Sequence, residues 1–291
     1  MDPLAVATSQ RPDARPKVVP APLRAAVSVA SALAPGLAAR GLAELCMRPP
    51  RHRAPDHERA ALRGAEPFEA RHAGGVVRGW RRGQGPAVLL LHGWGGRAGQ
   101  LARFGEALAA AGCTAVAIDA PAHGSSSGKV ASVPLYAKAI AAAAREAGAR
   151  AAVGHSFGGA ALTFAVANGL ELDAAVLVGA PATPVQYVDE FCNAFGLGAR
   201  ARAELRKVLE ARVGHRYEEL ELVRVIRSAR APALVIHDRD DREVSHASGE
   251  ALAAAWPGAR LHLTRGLGHR RILRDAAVAQ EIARFVAERL A

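Results

Sequence analysis

One serine stands in a setting that would make it reactive. Residues 151–159 read Ala-Ala-Val-Gly-His-Ser-Phe-Gly-Gly, so an apolar run stops at Gly154 and an alanine-rich helical segment follows Ser156. The pattern G-x-S-x-G between a strand and a helix is a nucleophile elbow, in which a sharp turn exposes the serine oxygen. The flanking glycines suit a turn that is too tight for side chains. The sequence therefore predicts that Ser156 is a nucleophile that attacks a carbonyl carbon.

Attack on a carbonyl creates an oxyanion, which needs hydrogen-bond donors. Residues 92–96, His-Gly-Trp-Gly-Gly, follow the first continuous apolar run, and glycines let a backbone approach a ligand closely. Phe157 follows the serine and opens the predicted helix, whose N-terminus favours negative charge. We predict that the backbone N–H groups of Trp94 and Phe157 form an oxyanion hole.

The nucleophile also needs a base and a carboxylate that orients the base. His269 follows the last predicted strand and is the expected general base. Asp238, Asp240 and Asp241 follow the preceding strand, and the residues alone leave all three open as the acid. The chain order serine, aspartate, histidine is one of three orders in which such triads occur.

The same segments could instead suggest a metal or a nucleotide. His237 stands beside the three aspartates, but no second set of ligands with a spacing such as H-E-x-x-H accompanies it. The glycines of residues 92–96 do not form the G-x-G-x-x-G pattern of a dinucleotide site. We therefore expect no metal and no cofactor.

Alternating strands and helices must position these residues. The continuous apolar run at 86–91 is typical of a strand that is buried on both faces of a parallel sheet. Predicted strands are 68–72, 76–82, 86–91, 113–119, 151–155, 174–178, 233–237 and 260–264, and predicted helices are 99–111, 133–148, 156–169, 247–255 and 272–290. This alternation predicts an α/β fold with a doubly wound, mostly parallel sheet, whose chemistry lies beyond the carboxyl ends of the strands.

Two parts of the chain fall outside this alternation. The interval between the strands at 174–178 and 233–237 contains only helical patterns, at 190–197, 199–213 and 217–227, which predicts a small helical cap at about residues 183–230. Residues 1–22 are proline-rich and are predicted to be a disordered tail. Residues 23–65 are predicted to hold one or two helices up to residue 46, followed by an irregular basic connector.

Composition restricts the partners. The chain has 291 residues and a formal net charge of +11, but its arginines are scattered and no helix-turn-helix signature is visible, so we expect no nucleic-acid partner. No apolar run is long enough to span a bilayer.

The cysteines indicate the location of the protein. Cys46, Cys113 and Cys192 are odd in number and far apart in the sequence, which argues against a set of disulfide bonds and favours a reducing, cytoplasmic location. Residues 25–34 resemble the apolar region of a signal peptide, and secretion is the alternative. The oligomeric state is left open.

Four motifs together carry a family resemblance. They are residues 92–96, residues 119–126 (Asp-Ala-Pro-Ala-His-Gly-Ser-Ser), the elbow at 154–158, and the pair Asp241 and His269. With these motifs the chain resembles the α/β-hydrolase superfamily, especially its compact esterase-like members, over residues 66–291. The family pattern G-x-x-D-x-x-V/P implies that Asp241 is the acid, although Asp238 stands where the family usually has glycine and Ser245 where it usually has proline.

The resemblance implies an enzyme with the catalytic triad Ser156, Asp241 and His269. We expect a carboxylesterase-like serine hydrolase (EC class 3.1.1) that acts on an ester or similar acyl bond of a small molecule through an acyl-enzyme. The alternatives with the same triad are an acyltransferase or thioesterase and a hydrolase of carbon–carbon bonds. A catalytically silent binding protein is the alternative from another class.

Overall fold

Eight strands form one mixed sheet in this computed structural model, which describes residues 19–291. The strands are β1 (Glu66–His72), β2 (Gly75–Arg82), β3 (Ala87–Leu91), β4 (Thr114–Ile118), β5 (Ala149–His155), β6 (Ala174–Val178), β7 (Ala233–Asp238) and β8 (Arg260–Thr264). Their order across the sheet is β1-β2-β4-β3-β5-β6-β7-β8. β2 runs antiparallel to β1 and β4, and the other neighbours are parallel. The predicted mostly parallel sheet is confirmed.

Helices cover both faces of this sheet. They are α1 (Ala21–Leu33), α2 (Pro35–Met47), α3 (Asp56–Ala61), α4 (Ala102–Ala110), α5 (Val133–Ala147), α6 (Phe157–Ala167), α7 (Gln186–Phe195), α8 (Ala199–Val213), α9 (Leu222–Val225), α10 (His246–Ala255), α11 (Gly268–Arg271) and α12 (Ala276–Leu290). Apolar residues of α5, α6 and α10 share one core with the sheet, and those of α4 and α12 share another. The fold is therefore doubly wound, as predicted.

The central strands show why the sequence folds this way. Every residue of β3 and β6 is buried. Successive side chains of a strand point to opposite faces, so Val88 and Leu90 enter one core while Leu89 and Leu91 enter the other. A strand between two helical layers must be apolar at every position, which produces the continuous apolar run seen in the sequence.

Two of the long predicted helices are divided. The segment at 272–290 is split at Asp275, whose carboxylate accepts a hydrogen bond from the N–H of Val278 at 2.9 Å and caps α12. The segment at 217–227 consists of α9 between two 3-10 turns. The prediction of one continuous helix was wrong in both places because helical periodicity does not show where a backbone turn interrupts it.

The N-terminal region is more ordered than the sequence indicated. α1 begins at Ala21, within the predicted tail, whose first eighteen residues lie outside the described residues. The predicted connector contains α3, so its prediction as irregular was wrong. Glu58 of α3 is buried and pairs with Arg97. The Arg51 Nε donates to the carbonyl oxygen of Ala122 at 2.8 Å. These contacts attach the N-terminal region to the sheet domain.

A third apolar core lies apart from the sheet. It joins buried residues of α2 to residues of α7 and α8, which belong to the helical insertion between β6 and β7. The N-terminal helices and the insertion are therefore packed together as one helical layer.

Within residues 19–291, none of the helices has the length and apolar character that crossing a bilayer requires.

Candidate active site

Ser156 occupies a strained turn between β5 and α6. Its backbone angles are φ 52° and ψ −118°, which non-glycine residues rarely adopt. A Cβ on Gly154 would lie 2.7 Å from the carbonyl oxygen of Gly158, and a Cβ on Gly158 would collide with the backbone oxygen of Leu91. Both positions therefore require glycine, which is the reason for the G-x-S-x-G spacing.

His269 and Asp241 form a buried hydrogen-bonded pair. The Nδ1 of His269 lies 2.7 Å from the Oδ2 of Asp241, while Asp241 Oδ1 accepts from the N–H groups of Glu243 at 2.8 Å and Val244 at 2.9 Å. Burial alone would raise the pKa of Asp241, but hydrogen bonds from His237 and His269 hold it below its usual range. An ionised Asp241 places the ring proton of His269 on Nδ1 and leaves Nε2 as the basic nitrogen.

The end of β6 brings this pair towards the serine. The backbone N–H of Ser156 donates to the carbonyl oxygen of Val178 at 2.9 Å. The next residue is Gly179, and a Cβ there would lie 3.3 Å from His269 Nδ1 and 3.5 Å from Asp241 Oδ2. Ser156 and His269 line the same cleft. The three predicted triad residues are therefore gathered at the carboxyl ends of β5, β6 and β7, as expected for a parallel sheet.

The predicted oxyanion loop lies against the serine. A Cβ on Gly93 would be 3.1 Å from the Cβ of Ser156. The Trp94 ring packs edge-on against the Phe157 ring, with centroids 5.2 Å apart. The N–H of Phe157 lies in the first turn of α6, where helical geometry supplies no acceptor for it. This arrangement brings the loop that carries Trp94 next to the turn that carries Ser156 and Phe157.

Two histidines brace this loop. His92 Nδ1 donates to the carbonyl oxygen of Gly93 at 2.7 Å, and its Nε2 accepts from the Ala120 N–H at 2.9 Å. His123 Nε2 accepts from the Gly95 N–H at 3.0 Å. Burial lowers the pKa of both rings, so each stays neutral and keeps an acceptor nitrogen. The motif at 119–126, for which the sequence offered no chemistry, thus helps to hold the loop beside Ser156.

Neutral His123 leads to a prediction about stability. Burial lowers its pKa from 6.5 to about 4. The unfolded chain therefore binds an additional proton between these values, so the contribution of His123 to stability is complete above pH 6.5 and is lost as the pH falls towards 4. We expect the loss to amount to about 3 kcal/mol for this ring. Chemical denaturation at pH 7.5 and at pH 4.5 measures it.

The matched variant for this prediction is His123→Gln, which retains a donor and an acceptor but does not titrate. Its free energy of unfolding should decline less steeply over the same pH range. Equal pH slopes for the wild type and His123→Gln would show that His123 is not the titrating group.

The other two candidate acids serve the loop that carries His269. Asp238 Oδ1 accepts from the N–H of Gly268 at 2.9 Å, and its Oδ2 accepts from the hydroxyl of Thr264 at 2.7 Å and the N–H of Leu267 at 3.1 Å. Asp240 Oδ2 accepts from the Gly266 N–H at 2.8 Å. These carboxylates tie the end of β7 to the turn before α11, and only Asp241 meets the imidazole of His269.

Two further histidines support the pair, and the sequence did not reveal this. The Nε2 of His155 donates to the backbone oxygen of His269 at 2.9 Å. The Nε2 of His237 donates to the oxygen of Val244 at 3.0 Å and lies 3.4 Å from Asp241 Oδ2. A Cβ on Gly249 would lie 2.7 Å from the His237 ring, so this glycine makes room for it.

Ser156 and His269 open into one large cleft. Its volume is about 2270 Å³, and its lining includes Ser156, His269 and Trp94. Small-molecule pockets usually measure about 300–1,000 Å³. α2 and the helical insertion supply part of the lining of this space.

Comparisons with known proteins agree with this architecture. The model of the alpha/beta hydrolase family matches residues 88–281. No curated protein sequence matches the chain significantly. The chain is similar in structure to the Pyrococcus furiosus esterase Pf2001, with a TM-score of 0.64 and 18% identity over 84% of this chain and 97% of that one.

Two other solved structures resemble it as well. The esterase RhEst1 from Rhodococcus sp. ECU1013 has a TM-score of 0.56 and 21% identity, over 78% of this chain and 100% of that one. A bromoperoxidase from Bacillus anthracis has a TM-score of 0.58 and 17% identity, over 77% of this chain and 100% of that one. Identities this low establish a shared fold and leave the reaction to be argued from the site.

Proposed function

The chain belongs to the alpha/beta hydrolase family, and from that premise we propose that it is a serine hydrolase that cleaves an ester or similar acyl bond of a small molecule. The observation that carries the proposal is the buried 2.7 Å contact between His269 Nδ1 and Asp241 Oδ2 in the cleft that Ser156 lines. The structural similarity to the esterases from Pyrococcus furiosus and Rhodococcus supports ester chemistry.

The proposed reaction has two halves. Nε2 of His269 takes the hydroxyl proton of Ser156 as the serine oxygen attacks the carbonyl carbon, and the carbonyl electron pair moves to the oxygen. The N–H groups of Trp94 and Phe157 stabilise that oxyanion by about 3 kcal/mol for each donor. When the oxyanion collapses, the alcohol leaves with the proton from His269 and an acyl-enzyme remains. Water, deprotonated by the same imidazole, then releases the acid and restores the serine.

Asp241 contributes by holding the imidazole. It keeps the ring in the orientation and tautomer that accept the serine proton, and its negative charge stabilises the imidazolium that forms. The lowered pKa of Asp241 keeps the carboxylate ionised in neutral and mildly acidic solution. In the proposed mechanism, the strained turn at Ser156 exposes the serine oxygen so that this ring can take its proton.

A burst experiment tests the proposal. A p-nitrophenyl ester should give a rapid release of nitrophenol equal to the enzyme concentration, followed by slower steady turnover, because the acyl-enzyme accumulates. The substrate panel should span acetyl to dodecanoyl esters together with a thioester. Absence of turnover on every member would contradict the proposal. Formation of the new ester faster than hydrolysis, at an alcohol concentration far below that of water, would identify a transferase.

A further inference from the structure

The cleft continues from Ser156 into an apolar space beneath the N-terminal helices. We name this space the N-terminal chamber. Its walls come from α2, α7 and α8, and its principal lining residues are Cys46, Met47, Phe191, Phe195, Leu209 and Val213. Two of these six residues thus belong to α2, which precedes the sheet domain in sequence, and four belong to the insertion between β6 and β7.

The interior of this chamber is poor in charge. The charged residues that α1, α7 and the end of α2 contribute to the cleft lining are Arg24, Arg48 and Glu190, and all three are exposed, so they lie at its rim. Burial raises the pKa of Cys46 to about 11, as expected for a thiol that is removed from water. Burial also raises the pKa of Tyr217, which lines the same region. Apolar groups are therefore favoured inside.

The chamber is preformed. The N–H of Ala131, which precedes α5, donates to the backbone oxygen of Met47 at 2.8 Å and ties the end of α2 to the sheet domain. Arg212 of α8 contacts Glu44 of α2 at 3.1 Å. Buried residues of α2 and α8 share one apolar core, which fixes the distance between the two walls. A ligand therefore finds the space open and does not have to separate the helices.

Another part of the cleft lining is polar. It includes His52, His57, Gln100, Arg103 and Arg274, which are contributed by the connector, α3, the 3-10 turn before α4, α4 and the segment after α11. An ester bound at Ser156 has an acyl part and an alcohol part. An apolar acyl chain matches the N-terminal chamber, and a polar alcohol part matches the polar part of the lining.

We propose that the N-terminal chamber binds the acyl chain, so that the substrate is an ester of a long, apolar acyl group. The inference rests on the proposed serine hydrolase. It assigns to α2 a direct part in substrate selection: chain-length preference is set by the N-terminal region together with the insertion.

Substitutions that fill the chamber test this assignment. In Cys46→Phe the larger side chain occupies space within the chamber, and we expect the ratio of kcat/KM for a dodecanoyl ester to kcat/KM for an acetyl ester to fall about tenfold or more. The matched control is Leu37→Phe on the same helix, because Leu37 is 69% exposed and does not line the cleft. Its ratio should equal that of the wild type. Val213→Phe fills the chamber from α8 and guards against misfolding of the first variant.

A binding measurement separates this inference from the proposed reaction. Calorimetry should show that dodecanoate binds Ser156→Ala, and that Cys46→Phe in this background weakens binding while Leu37→Phe does not. Dodecanoate binding with this pattern but without ester turnover by the wild type would refute the hydrolase and support the chamber as an apolar-chain site. Turnover of acetyl esters with no dodecanoate binding, or with unchanged ratios in both filling variants, would overturn the assignment of the chamber and leave the hydrolase standing.

Discussion

Replacement of Ser156 by alanine is expected to lower kcat for ester hydrolysis by about 10⁶-fold, since loss of the nucleophile removes the covalent route. The fold should persist. Alanine adds no bulk to the turn, and Ala122 already adopts a positive φ of 64° elsewhere in this chain. Steady-state kinetics on the best p-nitrophenyl ester, with circular dichroism of both proteins, measures the effect. Ser228→Ala, at an exposed position of the insertion, is the matched control and should resemble the wild type.

A double variant tests whether Ser156 and His269 act together. His269→Ala should lose almost as much activity as Ser156→Ala, and the double variant should lose no more than either, because the two residues act as one unit. Losses that multiply would contradict the account. Residual activity of Ser156→Ala within tenfold of the wild type would show that another group carries the reaction.

Replacement of Asp241 by asparagine is expected to lower kcat by about 10⁴-fold. An amide cannot reproduce the carboxylate, which accepts from His269 Nδ1 at 2.7 Å and holds the ring in the reactive tautomer. The KM should change much less than kcat, because Asp241 is behind the imidazole and does not face the substrate. Steady-state kinetics near neutral pH, at saturating and at low ester concentration, separate the two parameters.

The neighbouring aspartates are the controls for this prediction. Asp240→Asn keeps an amide oxygen that can accept from the Gly266 N–H, so its kcat should stay near that of the wild type. Asp238→Asn presents an amide N–H to donors that the carboxylate now satisfies, so it should lower the free energy of unfolding by about 2 kcal/mol. A larger loss of kcat in Asp240→Asn than in Asp241→Asn would assign the acid to Asp240.

Local sequence signals were sufficient to predict the strands of the sheet and the turn that carries Ser156. The elbow could be recognised because an apolar strand, a G-x-S-x-G turn and an alanine-rich helix are contiguous in sequence. The acid could not be chosen by such reasoning. Asp238, Asp240 and Asp241 are of one residue type, and what distinguishes them is the set of donors that each one meets across the loop.

Sequence patterns could not predict the contacts of His155 and His237 for the same reason. His155 contacts the backbone of His269, which is 114 positions away, and no periodicity reports such a contact. His237 reaches Asp241 only because Gly249 of α10 leaves space for the ring. Both depend on how the elements pack together, which the spacing of apolar residues does not specify.

The N-terminal region shows a different limit. α3 is only six residues long, Asp56–Ala61, too short for a helical period to emerge among its charged residues. Its Glu58 is buried through pairing with Arg97, a residue of the strand-to-helix loop near the site. The sequence predicted helices up to residue 46 and a connector after them, but it did not show that this region contacts the sheet domain and the insertion and forms part of the cleft lining.

Covalent labelling tests the central claim most directly. A fluorophosphonate reacts with a serine that a neighbouring base activates, and the adduct can be located by mass spectrometry of peptides. We predict one adduct for each chain, on Ser156, with no labelling of Ser156→Ala and strongly slowed labelling of His269→Ala. No adduct on the folded wild type, or equal labelling of the wild type and Ser156→Ala, would contradict the account.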